Sequence, residues 1–260
     1  MDLTSVPFEQ INTLRPGFTN FCLKNGVDPG TEPLQTAPSV HTCLGGVSVD
    51  DKLLAKSNLY VVGEAIGGTH GANRLSSNSL TEANVTGWFA AQSAAHALLE
   101  DRRKNVETSV NAEEIISQIW NSYLPKEKAP GSNCATAYQL TEDLREVMGQ
   151  SAGVERSHTG ISQGLKNLYE LTKAHSQLGF TGIDNMESWL DLRNMIETSQ
   201  TILHCALVRR ESRGAHMRTD FPDQNDNQWL GNIFIARKTR QEKISSEYVS
   251  KFVPTKFPNS

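Results

Sequence analysis

The stretch GEAIGGTHGANRLSSNSLTE, residues 63–82, decides how the rest of the chain is read. It closes the apolar, β-branched run NLYVVGEA and opens into TEANVTGWFAAQSAAHALL, whose small apolar residues suit a long helix. Between the two runs, residues 70–80 hold one imidazole, one guanidinium, two amides and three hydroxyls. Such a polar strand-to-helix turn is a place where backbone can meet a ligand. The glycines of GGTHG have no Cβ and tolerate φ > 0, so the chain can approach closely. Asn78 and Ser79 are good N-cap residues, so the helix after them would aim free N–H groups and its positive dipole end at an electron-rich ligand. Glu64, at the tip of the strand-like run, suits recognition of a ribityl or ribose hydroxyl.

The whole chain sets wider limits. Its 260 residues are enough to bury a sizeable core, in one large domain or two smaller ones. Twenty-five Lys and Arg against 29 Asp and Glu give a net charge of -4, so no global basic field points to nucleic acid or an acidic membrane. Cations that hold an anionic ligand must therefore be local. Cys22, Cys43, Cys134 and Cys205 are scattered without CxxC pairing or ligand-like spacing, which suits unpaired thiols in a reducing compartment and argues against a structural metal site. The start, MDLTSVPFEQ, lacks both a basic n-region and an apolar run. No stretch approaches the roughly 18 apolar residues of a membrane span, so a chain that is not exported is expected.

Two strand-like segments, GGVSVD and NLYVVGEA, precede the decisive turn. From Leu80 onward the pattern is helical. A first helix runs to about Arg103, and others are predicted near 111–123, 138–148, 161–178 and 187–211. In the last, Trp189, Leu192, Ile196, Leu203 and Leu207 recur at helical spacing, with Asp184 and Glu187 placed as a capping box. PKEKAPGSN reads as a turn-rich linker, GQSAGVERSHTG as a second break, and KTRQEK as a solvated face.

Together these features resemble one family. GEAIGGTHGANRLSSNSLTE is similar to the segment that closes the flavin domain in the succinate dehydrogenase and fumarate reductase flavoprotein family, which includes L-aspartate oxidase. Two further stretches agree in the family's order. FCLKNGVDPGTEPLQTAPSVHTCLGG resembles the return from the mobile capping domain into the flavin domain. LRNMIETSQTILHCALVRRESRGAHMRTDFPDQNDNQW resembles the long helix and following loop of the helical domain. The three blocks span residues 21–229.

The resemblance implies roles for particular residues. Glu64 would contact the FAD ribityl chain, and Ser79 and Leu80 would present backbone groups to the pyrimidine end of the isoalloxazine. His41 and Arg74 would hold the substrate dicarboxylate. A guanidinium can grip a carboxylate with two parallel charge-assisted bonds and stays charged at any working pH. Without the resemblance, His41 reads as a loop histidine satisfied by backbone, and Arg74 as an ion-pair residue. His70 reads either as a brace for the turn or as a ligand contact. Glu211, Arg213 and His216 read as a buried polar network docking the helical domain on the flavin domain; His96, His158, His175 and His204 read as ordinary helix or loop residues. Where the family often has Tyr after its histidine this chain has Thr42, followed by Cys43, Leu44, Gly45 and Gly46. That departure leaves the identity of the substrate open.

No GxGxxG turn follows a strand here, although the family begins with a Rossmann-type unit carrying one for the FAD pyrophosphate. The proton-transferring arginine is likewise expected in a capping domain outside this chain, so no catalytic residue and no metal ligand is assigned. The expected fold is α+β: the C-terminal part of a Rossmann-like FAD-binding domain followed by an all-α helical-bundle domain. Residues 1–35 are expected to end the capping domain and return linker, residues 36–104 to complete the FAD-binding domain, and residues 105–260 to form the helical domain. The implied activity is that of the C-terminal portion of an FAD-dependent oxidoreductase interconverting a C4 dicarboxylate pair of the succinate/fumarate type, inactive without an N-terminal half. The alternatives are an L-aspartate oxidase-type flavoprotein, or a non-catalytic remnant or assembly subunit. Expected partners are the dicarboxylate and either the N-terminal flavin-domain half or an electron-transfer subunit, with no nucleic acid. The expected location is the cytoplasm, with peripheral attachment to the inner membrane through a partner.

Overall fold

The computed structural model describes residues 1–37, 39–56, 58–103, 111, 113–114, 117, 136–178, 183–240 and 243–254, with the side chains of 101–103, 183–185, 237–240 and 243–249 excepted. Most of the helix predicted near 111–123, the linker after it, Cys134, the Asp184 side chain of the predicted capping box and the KTRQEK side chains lie outside the described residues. Two compact units divide the chain, Met1–His41 and Thr42–Ser260.

The first unit holds α1 (Phe8–Leu14) and α2 (Pro16–Lys24). Pro16 opens α2 at the position where a missing N–H costs nothing, because no intrahelical acceptor exists there. Ile11, Thr19 and Cys22 are buried. The Met1 ammonium donates to Leu34 O at 2.8 Å, and Leu34 N–H donates back to Met1 O, tying the start of the chain to its loop.

The second unit begins irregularly. Neither predicted strand forms at its expected length. β1 (Leu54–Lys56) and β2 (Leu59–Tyr60) make a short antiparallel pair, and the GEA of NLYVVGEA winds into a 3-10 turn, Gly63–Ala65. Of GGVSVD, only Val47 engages, in an isolated parallel bridge to Ile66. A strand exists only where a neighbour accepts its hydrogen bonds, and among the described residues the bridge is the pairing that Val47 finds.

Helix α3 (Asn78–Arg103) starts two residues earlier than expected, so Asn78 and Ser79 lie in its first turn rather than at its cap. Three further helices build the core: α4 (Ala137–Ser151), α5 (His158–Gln177) and α6 (Ile183–Val208). α4 starts with a capping box in which Thr136 Oγ1 accepts from Gln139 N–H and Gln139 Oε1 accepts from Thr136 N–H. Leu140 and Leu144 of α4, Ile161, Leu168 and Leu171 of α5, and Trp189, Leu192, Ile196, Leu203 and Ala206 of α6 converge in one cluster. This is the apolar face that the spacing predicts on α6, with Leu207 packed at its margin. His175 is buried against it, its ring 4.5 Å from that of Trp189 and its Nε2 2.9 Å from Trp189 O. Ile196, 3% exposed, gives a direct measure of this packing. Ile196→Val removes one buried methylene and is expected to lower stability by about 1 kcal/mol in urea unfolding; an unchanged midpoint contradicts the packing.

After α6 the chain returns. β3 (Glu155–Arg156), just before α5, pairs in parallel with β4 (Met217–Arg218). A short helix α7 (Asp226–Trp229) leads into a long antiparallel hairpin, β5 (Gly231–Arg240) and β6 (Lys243–Pro254), in register from Gly231↔Pro254 to Lys238↔Glu247 and shifted before Arg240↔Lys243. The hairpin was not read from the sequence. It follows the helical region and leaves the bundle as its core.

Candidate functional site

The turn between residues 66 and 78 is held from three directions. Gly68 and Gly71 adopt φ of 92° and 60°, the conformations that explain glycine at these positions. From α3, the Glu82 carboxylate accepts from His70 Nε2 at 2.8 Å and from the Thr69 hydroxyl. His70 therefore acts as a brace. The Thr86 hydroxyl of the same helix accepts from Gly63 N–H at 2.9 Å, which fixes the 3-10 turn against α3. From the other side, the segment after His41 lies along this turn. Cys43 N–H donates to Glu64 Oε1 at 2.8 Å, Val47 N–H to Ala65 O at 2.8 Å, and Gly67 N–H to Val47 O at 3.0 Å.

Ser77, a residue with a Cβ, takes φ of 67° where the chain enters α3. Left-handed backbone at a non-glycine is held only where its surroundings impose it. Ser79 is half-buried and Leu80 is exposed in the first turn, where backbone N–H groups have no intrahelical acceptor. Glu64 is exposed beside this helix. His41 is exposed at the end of the first unit.

Arg74 is the telling residue. Its Nη1 donates to Leu75 O at 3.3 Å, while its Nε is buried and has no acceptor, the one such side-chain atom among the described residues. Leaving a buried donor unsatisfied costs about 1–3 kcal/mol. A guanidinium in this state has a donor still open to a further acceptor.

The third support is the loop after α6. Glu211 is wholly buried and accepts from Arg209 Nη1 at 2.6 Å, Arg213 Nε at 2.8 Å, Arg213 Nη2 at 3.0 Å and Asn225 N–H at 2.9 Å. Burial pushes its carboxyl up, but the bonds from Arg213, Asn225 and Arg209 outweigh this and hold it below its ordinary value. Arg218, also wholly buried, forks onto Asp220 with two bonds of 2.7 Å and donates to Ala206 O at 2.7 Å. Its grip holds the Asp220 carboxyl well below the usual range. The network expected at residues 211–216 is thus present, and it extends to Arg209, Arg218 and Asp220, which the sequence reading did not include. Its tip touches the turn itself: Ala215 N–H donates to Ala72 O at 3.1 Å.

His216 lies in the same network. Its Nδ1 accepts from Arg156 Nη1 at 3.0 Å, and its Nε2 faces Arg209 O at 3.4 Å. Burial, then the charge of Arg156 and the nearby Arg218 and Arg209, lower its pKa from 6.5 to about 4. Between those values the unfolded chain binds a proton that the folded chain refuses, so His216 makes stability fall as pH drops through this window. His175 and His204, also lowered by burial, add to the trend. Urea unfolding at pH 7.5 and pH 5 is expected to show a smaller loss for His216→Gln than for the wild type; equal losses contradict a neutral, buried His216.

Among the described residues, no group of His, Cys, Asp and Glu is arranged to hold a metal ion, and Cys22, Cys43 and Cys205 are unpaired. A groove beside α5 and α6, lined by Lys166, Tyr169, Glu170, Gln200 and His204, shares no residue with the turn.

The chain is similar to known proteins. Residues 1–80 match the family described as FAD binding domain, and residues 141–258 the family described as fumarate reductase flavoprotein C-term. The chain belongs to the succinate dehydrogenase/fumarate reductase flavoprotein family. One subunit of the fumarate reductase (CoM/CoB) of Methanothermobacter marburgensis is 30% identical over 251 residues, which cover 94% of this chain and 44% of that protein. L-aspartate oxidase of Synechocystis is 30% identical over 257 residues, covering 90% of this chain and 43% of that protein. The solved structure of Mycobacterium smegmatis Sdh1 in complex with UQ1 matches 100% of this chain and 43% of its own, at a TM-score of 0.81 and 26% identity. The chain spans less than half the length of these family members.

The family's cofactor is FAD. The residues on hand fit it: an exposed carboxylate at Glu64, and the open first turn of α3 with Ser79 and Leu80 beside it. Among the described residues, no helix is long and apolar enough to cross a membrane.

Proposed function

We propose that this chain is the C-terminal portion of an FAD-dependent oxidoreductase that interconverts a C4 dicarboxylate pair of the succinate/fumarate type. The buried, unsatisfied Nε of Arg74 carries this reading, because it marks a preformed site for an anionic acceptor in the turn that leads into α3. In this reading Arg74 and His41 hold the dicarboxylate. Glu64 binds the ribityl chain, and the backbone of Ser79 and Leu80 faces the pyrimidine end of the flavin. FAD, when bound, supplies the hydride acceptor or donor at its N5. Arg74 holds one carboxylate and polarises the adjacent carbon-carbon bond.

A preceding segment with the Rossmann-type unit and capping domain supplies the pyrophosphate turn and the proton-transferring arginine. The exposed apolar side chains of α3 support such a partner: Val85, Trp88, Leu98 and Leu99 are 58%, 63%, 65% and 56% exposed. We assign residues 1–35 to the end of the capping domain, 36–104 to the flavin domain and 105–260 to the helical domain. The assembled enzyme is placed in the cytoplasm, exchanging electrons with a further subunit that can tether it to the inner membrane. In the alternative reading, an L-aspartate oxidase, the same clamp holds an amino dicarboxylate.

The test is cofactor binding. The 260-residue chain by itself is expected to bind FAD with a Kd no tighter than about 10 μM, since most contacts come from the preceding segment. Coexpressed with that segment, it is expected to yield a yellow, stoichiometric complex that reduces fumarate with a reduced dye. Submicromolar FAD binding by the chain alone overturns the division of the site, and a yellow complex active only on aspartate moves the substrate to the amino dicarboxylate.

A further inference from the structure

Arg74 has no side-chain partner among the described residues to orient it, so its direction is set by its backbone. That backbone is pinned at two places. Thr69 and His70 are tied to Glu82 on α3, and the Ala72 carbonyl, two residues before Arg74, accepts from Ala215 N–H at 3.1 Å. The second pin is unusually close. Gly214 has φ of 56°, and a Cβ placed on it would lie 2.2 Å from Ala72 O and 2.6 Å from Ala72 C. Main chain meets main chain with no side chain between them that could adapt.

We propose that the loop carrying Gly214 and Ala215 is a positioning element for Arg74. It sets the guanidinium through the Ala72 peptide, and the Glu211 network makes the loop stiff enough to do so. This rests on the reading of Arg74 as the dicarboxylate-binding residue. Glu211 receives four donors from Arg209, Arg213 and Asn225, which fixes the loop immediately before Gly214. Arg209 continues to Trp229 O at 3.0 Å and Gly231 O at 2.7 Å, so the loop is anchored at the end of α6 and at the start of β5. A bundle joined rigidly to the turn in this way does more than stabilise the fold. It determines where the guanidinium meets the substrate, and a displacement of about 1 Å at such a group can cost about a hundredfold in rate.

The experiment uses the flavin-loaded complex and succinate, whose binding is read from the flavin absorbance, alongside melting temperature and FAD content. Gly214→Ala places a methyl group against the Ala72 carbonyl and is expected to weaken succinate binding by about tenfold or more while FAD is retained. Ile196→Val removes a methylene from the core of the bundle, away from the loop. It is expected to lower the melting temperature with a succinate Kd within about twofold of wild type. Should Gly214→Ala fail to fold, Glu211→Gln softens the loop without a clash and is expected to weaken succinate by about three- to tenfold. Equal effects of Gly214→Ala, or of Glu211→Gln in its place, and Ile196→Val on succinate binding overturn the positioning role, as does wild-type affinity in the first of these. Arg74→Lys separates the two ideas. If it leaves succinate binding unchanged, the dicarboxylate reading itself fails; if it weakens binding and the loop variants do not, only the positioning role falls.

Discussion

Arg74→Lys is expected to slow fumarate reduction by the flavin-loaded complex roughly a few hundredfold, with the flavin spectrum unchanged. The charge survives this substitution, but the planar fork does not. An ammonium cannot present two parallel N–H groups to a carboxylate, and the buried position of Nε becomes a methylene. If the fork stabilises charge developing on the dicarboxylate during reduction, its loss resembles the loss of one preorganised oxyanion donor, about 2–4 kcal/mol, with tenfold in rate for every 1.4 kcal/mol or so. The change is expected in kcat as well as KM. An effect confined to KM indicates that Arg74 binds ground state and transition state equally. Thermal stability should barely move, since Arg74 has one long hydrogen bond to lose.

Glu211→Ala is expected to have the opposite profile, lowering stability by about 3–5 kcal/mol. Glu211 is wholly buried, and truncating it leaves Arg209, Arg213 and the Asn225 N–H without their shared acceptor. Arg213 keeps Asp226 and Arg209 keeps two carbonyls, which argues for the lower end of that range. Asp226 makes a useful contrast. It is bonded to the same arginine but is 59% exposed, so water replaces it and Asp226→Ala should cost far less. Chemical denaturation of the two variants checks this ordering. Equal destabilisation contradicts the claim that burial at Glu211, rather than ion pairing in general, makes the network strong.

Local patterns were legible in the sequence and long-range contacts were not. The face formed by Trp189, Leu192, Ile196 and Leu203 was visible because burial on a helix repeats with the helical period. The polar turn at residues 67–77 was visible because its glycines and Arg74 stand together in the chain. The strands around it were overread. NLYVVGEA has strand composition, yet strand pairing depends on neighbours, and the run resolves into β2 and a 3-10 turn. The hairpin of β5 and β6 was missed, although GNIFIARKTR and KISSEYVSKFVP flank a short connection in the manner of a ribbon. Glu82 as the partner of His70 and Thr69 was within reach, since a carboxylate one turn into α3 faces the preceding loop. No local signal links Gly214 to Ala72. That contact joins segments far apart in sequence and follows from where the bundle places the end of α6.

The most direct test of the central claim is a titration of the flavin-loaded complex with succinate, followed by the flavin absorbance, in wild type and Arg74→Lys. A dicarboxylate site in the turn before α3 predicts a saturable perturbation in the wild type and at least about tenfold weaker binding in the variant, at equal FAD content. Succinate that binds both proteins with the same Kd, or that leaves the wild-type flavin unperturbed, contradicts it.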